Sequence, residues 1–502
     1  MPDHFQLSLD TAPYKGTLSL NTGLFINGEF VDGIEGQKVD VTNPTTGKTI
    51  TSVCAGTSKD VDVAVEVAYK AYKTSWGLKV PGSTRGRILY KLADLVQEHG
   101  KEIMALEVLN TGKPWSIARD IDIKNSIDVL RYYAGWADKV HGKTIETTEN
   151  KLAYTRHEPY GVVGVIVPWN WPLMTLLCKI APALATGNTV VAKPSEITPL
   201  TALKLAGMLS QAGVPPGVVN IVNGYGPTVG EAMSHHPLIR KISFTGSTLV
   251  GRRIQEASAK SNLKVVSLEL GGKSPNIIFD DANIEQAVKW ASMGVFLNKG
   301  EACIAGSRIF VQEGIYDAFV KALGNVGRSF DAATGDPFSP GTVHGPQASK
   351  VHFERIMGYI EAGKSGGATL ICGGERRGND GYFVKPTVFA DCTPDMKIVR
   401  EEIFGPVASV IKFKTEEEVI EMANDSTYGL ACGLFTENSS RAIRVAHALE
   451  AGMAFVNSYG NTDISVPFGG SKQSGFGREL GAYALDTFTQ VKAVHINIGQ
   501  KL

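Results

Sequence analysis

Apolar residues recur along this chain with two periods, and the switches between them mark its organisation. Near the N-terminus, Leu24-Phe25-Ile26-Asn27-Gly28-Glu29-Phe30-Val31 predicts a hairpin, because Asn-Gly supplies the positive φ of a type I′ turn. Residues 1–20 before it read as a loose arm. Helical stripes follow. Val61, Val65, Ala68 and Tyr72 share one face behind a candidate cap at Ser58, and Ile88, Leu92, Leu95 and Val96 form a second stripe. A third helix is predicted from about Ile117 to Val140.

From Tyr160 to Leu270 the pattern changes to short apolar runs alternating with helical stretches. The runs are Val162–Val167, Thr189–Ala192, Val218–Val222, Ile239–Phe244 and Lys264–Leu268. Strand–helix alternation of this kind predicts a doubly wound parallel sheet, with ligands beyond the C-terminal strand ends. A second α/β block runs from about Gly272 to Ser471. Its helices include Ile284–Val295, Tyr316–Val326 and His352–Ala362, and its strands Arg308–Val311, Ala408–Phe413 and Met453–Val456. Two strand-like pieces, Lys151–Arg156 and Val491–Ile498, stand outside both blocks.

Composition narrows the class. With 43% hydrophobic and 20% charged residues, the 502-residue chain has the make-up of a globular protein large enough for two or three domains. Fifty basic residues balance fifty acidic ones, so nothing points to nucleic acid or an anionic membrane surface. Six scattered cysteines form no CxxC pair and no zinc spacing, which excludes a metal site of that kind and suggests reduced thiols in the cytoplasm. Residues 1–20 contain no arginine and no apolar core, unlike a secretory or mitochondrial leader. No apolar run approaches the roughly 20 residues that span a bilayer.

Candidate chemistry sits where apolar runs end. Cys303 lies in Gly300-Glu301-Ala302-Cys303-Ile304-Ala305-Gly306, where small neighbours leave room for a substrate carbonyl. A buried structural cysteine fits the same residues. Val167-Pro168-Trp169-Asn170-Trp171-Pro172 delivers an amide that suits an oxyanion, or simply a turn. Lys193 and Glu196 follow the second run and suit ribose hydroxyls or a surface ion pair. Phe244-Thr245-Gly246-Ser247-Thr248 opens a helix whose free N–H groups suit a phosphate, although the spacing is not GxGxxG. Glu269 ends an apolar run before two glycines, a setting for a tunable general base or for a capping acid. Glu401-Glu402-Ile403-Phe404-Gly405-Pro406 and Pro467-Phe468-Gly469-Gly470-Ser471-Lys472-Gln473-Ser474-Gly475 complete the set.

Taken together and in this order, these motifs resemble the NAD(P)-dependent aldehyde dehydrogenase family over roughly Gly23 to Ile498. The most specific parts are Glu269-Leu270-Gly271-Gly272-Lys273 and the Cys303 run. Two departures stand out: Glu301 where the family often has Gln, and Ile304 beside the nucleophile. The resemblance implies Cys303 as nucleophile, Glu269 as base and Asn170 as oxyanion donor. It implies NAD contacts at Ile166, Pro168, Trp169, Lys193, Glu196, Gly226, Gly230, Phe244, Gly246, Ser247, Gly251, Leu270, Glu402 and Phe404, with NADP weaker. It places the aldehyde near Asn125, Trp171, Thr175, Cys178, Ile304, Thr462 and Phe468. It further implies a cofactor domain (9–140 and 160–270), a catalytic domain (271–475) and a β oligomerisation arm (141–159 and 486–502) in a homo-oligomer, a tetramer or dimer. A cofactor-independent cysteine esterase or thioesterase, or a retired binding protein on the same fold, is the alternative. Glu196 and Glu402 speak against the esterase, in which they have no task.

Overall fold

The structure, a computed structural model, describes residues 3–501. Five parallel strands form the centre of an eight-stranded sheet: Val162–Ile166, Thr189–Lys193, Val219–Ile221, Ile239–Thr245 and Val265–Glu269. The first three step outward in one direction. Ile239–Thr245 then returns to the other side of Val162–Ile166, with Val265–Glu269 beyond it. The reversal opens a crevice at the carboxyl ends, where ligands bind in doubly wound sheets. Register aligns those ends, pairing Lys193 and Phe244 each with Ile166, and Thr245 with Glu269.

Val162–Ile166 and Thr189–Lys193 are buried at every position, which is why they read as unbroken apolar runs. Helices Gly82–Glu98, Lys124–Trp136, Pro172–Ala185 and Leu200–Ala212 supply one core cluster, while Ser58–Thr74 and Thr248–Lys260 pack into another that shares the sheet. The hairpin Leu24–Ile26/Glu29–Val31 adds antiparallel strands at one edge, with Asn27 and Gly28 at φ 56° and 86° as its turn requires. At the other edge Gly475–Phe476, from late in the chain, pairs with Leu268 and Glu269. That pairing carries the Pro467–Gly475 motif to the end of the Glu269 strand.

The second sheet has seven strands in the order Thr369–Cys372, Thr387–Ala390, Val407–Phe413, Arg308–Gln312, Pro275–Ile278, Ala431–Phe435 and Met453–Val456, parallel except at the first edge. A three-stranded antiparallel sheet joins Thr144–Thr148, Lys151–Pro159 and Thr489–Asn497. The fold is thus α/β with parallel-sheet domains, and no helix among the described residues is long and apolar enough to cross a membrane.

Three expectations change. The loose arm at 1–20 is instead a hairpin, His4–Asp10 against Lys15–Asn21; its alternating Phe5, Leu18 and Leu20 bury in a core cluster, while Met1 and Pro2 lie outside the described residues. The first helix is capped by Thr57, not Ser58, through a capping box closed by Asp60. The helix expected over 117–140 is interrupted by a π-helical turn at Ala118–Ile123 that turns Asp122 inward to Lys113 Nζ at 2.8 Å. Lys151–Arg156 and Val491–Asn497 are strands, as expected, with Ile498 just beyond the second. They pair with each other, leaving Thr144–Thr148 at one open edge and Thr489–Asn497 at the other.

Candidate active site

Helix Ile284–Phe296 ends in an unusual turn. Asn298 and Lys299 are left-handed, at φ 48° and 63°, and Gly300 follows at φ 74°. Asn tolerates that region, but Lys299 costs about 1–2 kcal/mol there, so the turn must be held by its surroundings. A Cβ on Gly300 would lie 2.2 Å from the Gly405 carbonyl, and one on Gly272 would lie 2.4 Å from the Cys303 carbonyl oxygen. Only glycine admits either approach. They seat the Cys303 loop between the Glu269–Lys273 and Glu402–Pro406 motifs. All six cysteines are free thiols. Cys54, Cys178, Cys392 and Cys432 are buried, whereas Cys303 and Cys372 are half-buried.

Asn170, just beyond the Val162–Ile166 strand, is buried and donates its Nδ2 to the Glu301 carbonyl at 3.0 Å. Asn298 ties the same elements from below, donating to the carbonyls of Asn170 (3.2 Å) and Glu301 (3.1 Å). Glu269 ends its strand with both carboxyl oxygens buried and without a hydrogen-bond partner in the structure, Oε1 lying where Gly469 has no side chain. Burial, and then the Glu479 carboxylate, push the Glu269 carboxyl well above the usual range, against the pull of Lys179 and Arg478. Burial likewise pushes the Cys303 thiol up, helped by Glu269, Glu402 and Glu479 and opposed by the Ile304 N–H. Glu301 does not aim its carboxylate at the thiol; it sits 2.7 Å from Lys299 Nζ with both side chains fully buried.

The expected cofactor residues gather around the strand ends. Lys193 Nζ lies 3.0 Å from Glu196 Oε2. Ser247 caps helix Thr248–Lys260, accepting from Val250 N, and Gly246 precedes it. Phe244 and Leu270 are buried directly behind Gly246 and Gly251, whose missing side chains let that helix start against the sheet. Gly226–Gly230 forms a short helical turn; Gly226 faces open space and Gly230 approaches Lys193. Ile166 is buried, and Pro168 and Trp169 are half-buried in the loop that leads to Asn170. Glu402 Oε1 accepts the Gly272 N–H at 3.0 Å, leaving Oε2 to a ligand. Phe404, held at φ 60°, packs on Trp169 (5.3 Å between centroids) and His352 (5.8 Å), and its carbonyl accepts the His352 Nε2 proton at 2.7 Å. A capped helix N-terminus, two carboxylates at strand and loop ends and an aromatic wall suit a phosphate, two riboses and a flat ring.

Of the expected substrate residues, Trp171 and Thr175 bury at the start of helix Pro172–Ala185, with Lys113 Nζ 4.4 Å from the Trp171 ring centroid. Asn125 Nδ2 contacts Met174 Sδ at 3.7 Å. Ile304 and Phe468 are half-buried, and Phe468 exchanges backbone hydrogen bonds with Glu479 at 2.7 and 2.8 Å. Cys178 packs in a core cluster, and Thr462 is exposed. Several residues of the site escaped sequence reasoning. Lys179 Nζ is fully buried between Ser243 Oγ (3.1 Å) and the Glu479 carboxylate. Tyr459 donates its hydroxyl to the Ile304 carbonyl at 2.7 Å. The one available signal was Lys179 itself, a lone charge in the apolar run Leu173–Ala181. No group of three or more His, Cys, Asp or Glu side chains gathers to hold a metal among the described residues.

The sequence profile of the aldehyde dehydrogenase family matches residues 30–494. An aldehyde dehydrogenase of Agaricus bisporus is 56% identical over 502 residues, all of both chains. Aldehyde dehydrogenase 1A1 of Homo sapiens is 50% identical over 96% of each chain. Among solved structures, an NAD+ complex of aldehyde dehydrogenase from Bacillus cereus superposes with a TM-score of 0.93 at 48% identity, covering 95% of this chain and 97% of that one. Sequence and fold agree over essentially the whole length: the chain belongs to the aldehyde dehydrogenase family.

Proposed function

We propose that the protein oxidises an aldehyde to the carboxylic acid with NAD, using Cys303 as nucleophile, Asn170 as oxyanion donor and Glu269 as base. One observation carries this reading: a half-exposed thiol whose loop is bonded to the Asn170 amide and whose ionisation is opposed by the buried, unpaired carboxylate of Glu269. Cys303 attacks the aldehyde carbon as thiolate, its proton having passed to solvent before the C–S bond forms. Asn170 spends one N–H on Glu301, so its second remains for the oxyanion, beside the Cys303 backbone N–H. Bound NAD would supply the hydride acceptor for the tetrahedral adduct on Cys303. A thioester remains on Cys303. Glu269 takes a proton from water as that water attacks the thioester carbon, which releases the acid and the thiolate. Burial raises the Glu269 carboxyl above the usual carboxylate range, which makes its carboxylate a stronger base for this proton transfer. Wild-type enzyme should therefore form NADH from a simple aldehyde; no absorbance change at the NADH wavelength would contradict the assignment.

Trp169, Phe404 and Glu402 are assigned to the nicotinamide half of the cofactor, and Lys193 and Glu196 to the adenosine ribose. An ionised Glu196 accepts from two ribose hydroxyls, and charge-assisted bonds of this kind are strong. The 2′-phosphate of NADP meets the same carboxylate with like charge, worth roughly 4 kcal/mol at about 4 Å and an effective dielectric near 20. Solvent reduces that figure, because the Glu196 side chain is 34% exposed, and Lys193 offsets part of the remainder. Wild type is expected to favour NAD in kcat/KM. Glu196→Ala should lower the NAD/NADP ratio by about tenfold, or roughly 1.4 kcal/mol. A wild type favouring NADP, or an unmoved ratio in the variant, would remove Glu196 from this role.

Residues 9–140 with 160–270 are assigned as cofactor domain, 271–475 as catalytic domain, and 141–159 with 486–502 as an oligomerisation arm. The arm leaves an exposed strand edge at Thr144–Thr148 and bare side chains at Ile145 and Val491. Such edges pair with other chains. A dimer of dimers, or a dimer, is expected by light scattering at micromolar protein, and a strictly monomeric mass would contradict it. Six free thiols fit a reducing compartment, the cytoplasm.

A further inference from the structure

We infer that the buried Lys299–Glu301 ion pair is a positioning device for the nucleophile, acting by bracing the backbone turn before Cys303 and not by its charge. The inference rests on the reading of Cys303 as nucleophile. Its starting point is the run of three left-handed residues, Asn298, Lys299 and Gly300, which ends three positions before the thiol. Asn298 and Gly300 tolerate that region and Asn298 bonds locally to Glu301, but Lys299 has no local reason to enter it. What fixes it is a set of distant anchors. Lys299 Nζ donates to the Thr111 carbonyl at 2.8 Å and lies 2.7 Å from Glu301 Oε2. Glu301 Oε1 accepts the Ala348 N–H at 2.8 Å, and Gln347 Nε2 reaches the Lys299 carbonyl at 3.4 Å. The two charged side chains therefore pin the turn to two segments far away in sequence, one after residue 111 and one at 347–348.

The opposite end of the brace lies at reacting groups. The Glu301 carbonyl accepts from both Asn170 and Asn298. A shift of the turn moves that carbonyl, and with it the oxyanion amide and the thiol together. Glu301 also lies 3.8 Å from His352, whose ring packs on Trp169 at 4.8 Å between centroids and whose Nε2 holds the Phe404 carbonyl. The brace thus touches both the nucleophile side and the aromatic wall assigned to the nicotinamide. Charge is a poor explanation of the pair. The carboxylates that oppose ionisation of the thiol are Glu269, Glu402 and Glu479, and Glu301 is neutralised by Lys299 at 2.7 Å. The other charged groups near the pair, Lys113 and Asp122, are themselves joined at 2.8 Å.

The test uses full-length Glu301→Gln, Lys299→Gln and the double variant, with two readouts. The first is pre-steady-state hydride transfer. The second is the pH midpoint of Cys303 alkylation by iodoacetamide, followed by mass spectrometry on protein without cofactor, which reads the thiol whether or not the enzyme turns over. Each single variant leaves one buried charge alone, and hydride transfer should fall by about tenfold to a hundredfold, as misplacement of a reacting group does. The KM for NAD should stay within about threefold. The alkylation midpoint should move by less than about 0.3 pH unit. The double variant keeps hydrogen-bonding side chains without charge, and should return to within about threefold of wild type. Wild-type turnover in Glu301→Gln, or a midpoint displaced by about one pH unit or more, overturns the inference. Should the single variants not fold, Lys299→Gln/Glu301→Gln is compared with Lys299→Ala/Glu301→Ala, and equal hydride transfer in the two overturns it instead. Absence of any alkylation at Cys303 in wild type would count against the nucleophile assignment, a separate failure from these.

Discussion

Replacing Cys303 by alanine is expected to abolish aldehyde-dependent NADH formation while NAD still binds. The thiol forms the one covalent bond between enzyme and substrate, and among the described residues no other half-buried thiol lies in this site: Cys372 stands on an edge strand of the second sheet. Loss of a nucleophile typically lowers kcat on the order of 10⁴- to 10⁶-fold, because the groups that served it can no longer act. The residues assigned to the cofactor are anchored by other contacts. Glu402 is fixed by Gly272, Lys193 by Glu196, and Phe404 by Trp169 and His352. Titration of the variant with NAD, followed through tryptophan fluorescence, should give a Kd within about threefold of wild type. A variant that keeps a substantial fraction of wild-type turnover would show that the chemistry lies elsewhere.

Glu269→Gln should separate the two halves of the reaction. Attack and hydride transfer need Cys303 and Asn170, whereas hydrolysis of the thioester needs water stripped of a proton. General bases contribute about 10²- to 10⁴-fold, so steady-state turnover is expected to fall by that factor. NADH from the first turnover should still appear, as a burst approaching one equivalent per active site. The variant makes a second, independent statement. Ionised Glu269 is the largest charge opposing the Cys303 thiolate, after burial itself. Removing a negative charge favours the thiolate, so the pH midpoint of Cys303 alkylation should move down in the variant, and thiol reactivity should begin at lower pH. A steady-state defect with no burst would place the slow step before the thioester and take Glu269 out of the base's role.

Much of this was legible in the sequence for one physical reason. Strands buried on both faces, such as Val162–Ile166, must be apolar throughout, so the first polar residue after each run marks a strand end. Lys193, Glu269 and Asn170 were found that way. Elements that break this logic were missed. Helix Gly100–Thr111 is buried at ten of its positions, Glu107 and Asn110 among them, and so carries no stripe. The N-terminal hairpin looked loose because its outward residues, Gln6 and Ser8 among them, are polar and only every second one is buried or partly so. The partners of the site were invisible for a different reason. Lys179 and Glu479 are 300 residues apart, and although Lys179 stands out as a lone charge in an apolar run, nothing local marks Glu479 as its partner. Glu301 stood out only as a departure from the family's usual Gln, and nothing local marked it as the buried partner of Lys299, though neither side chain reaches solvent.

Formation of a thioester on Cys303 can be read by acid-quenching Glu269→Gln during turnover with NAD and an aldehyde, digesting the protein, and weighing the Cys303 peptide. This peptide should gain the mass of the substrate's acyl group, the gain should require NAD, and the adduct should decay on long incubation as acid is released. An unmodified Cys303 peptide alongside full burst NADH, or an acyl group found on another residue, would contradict it.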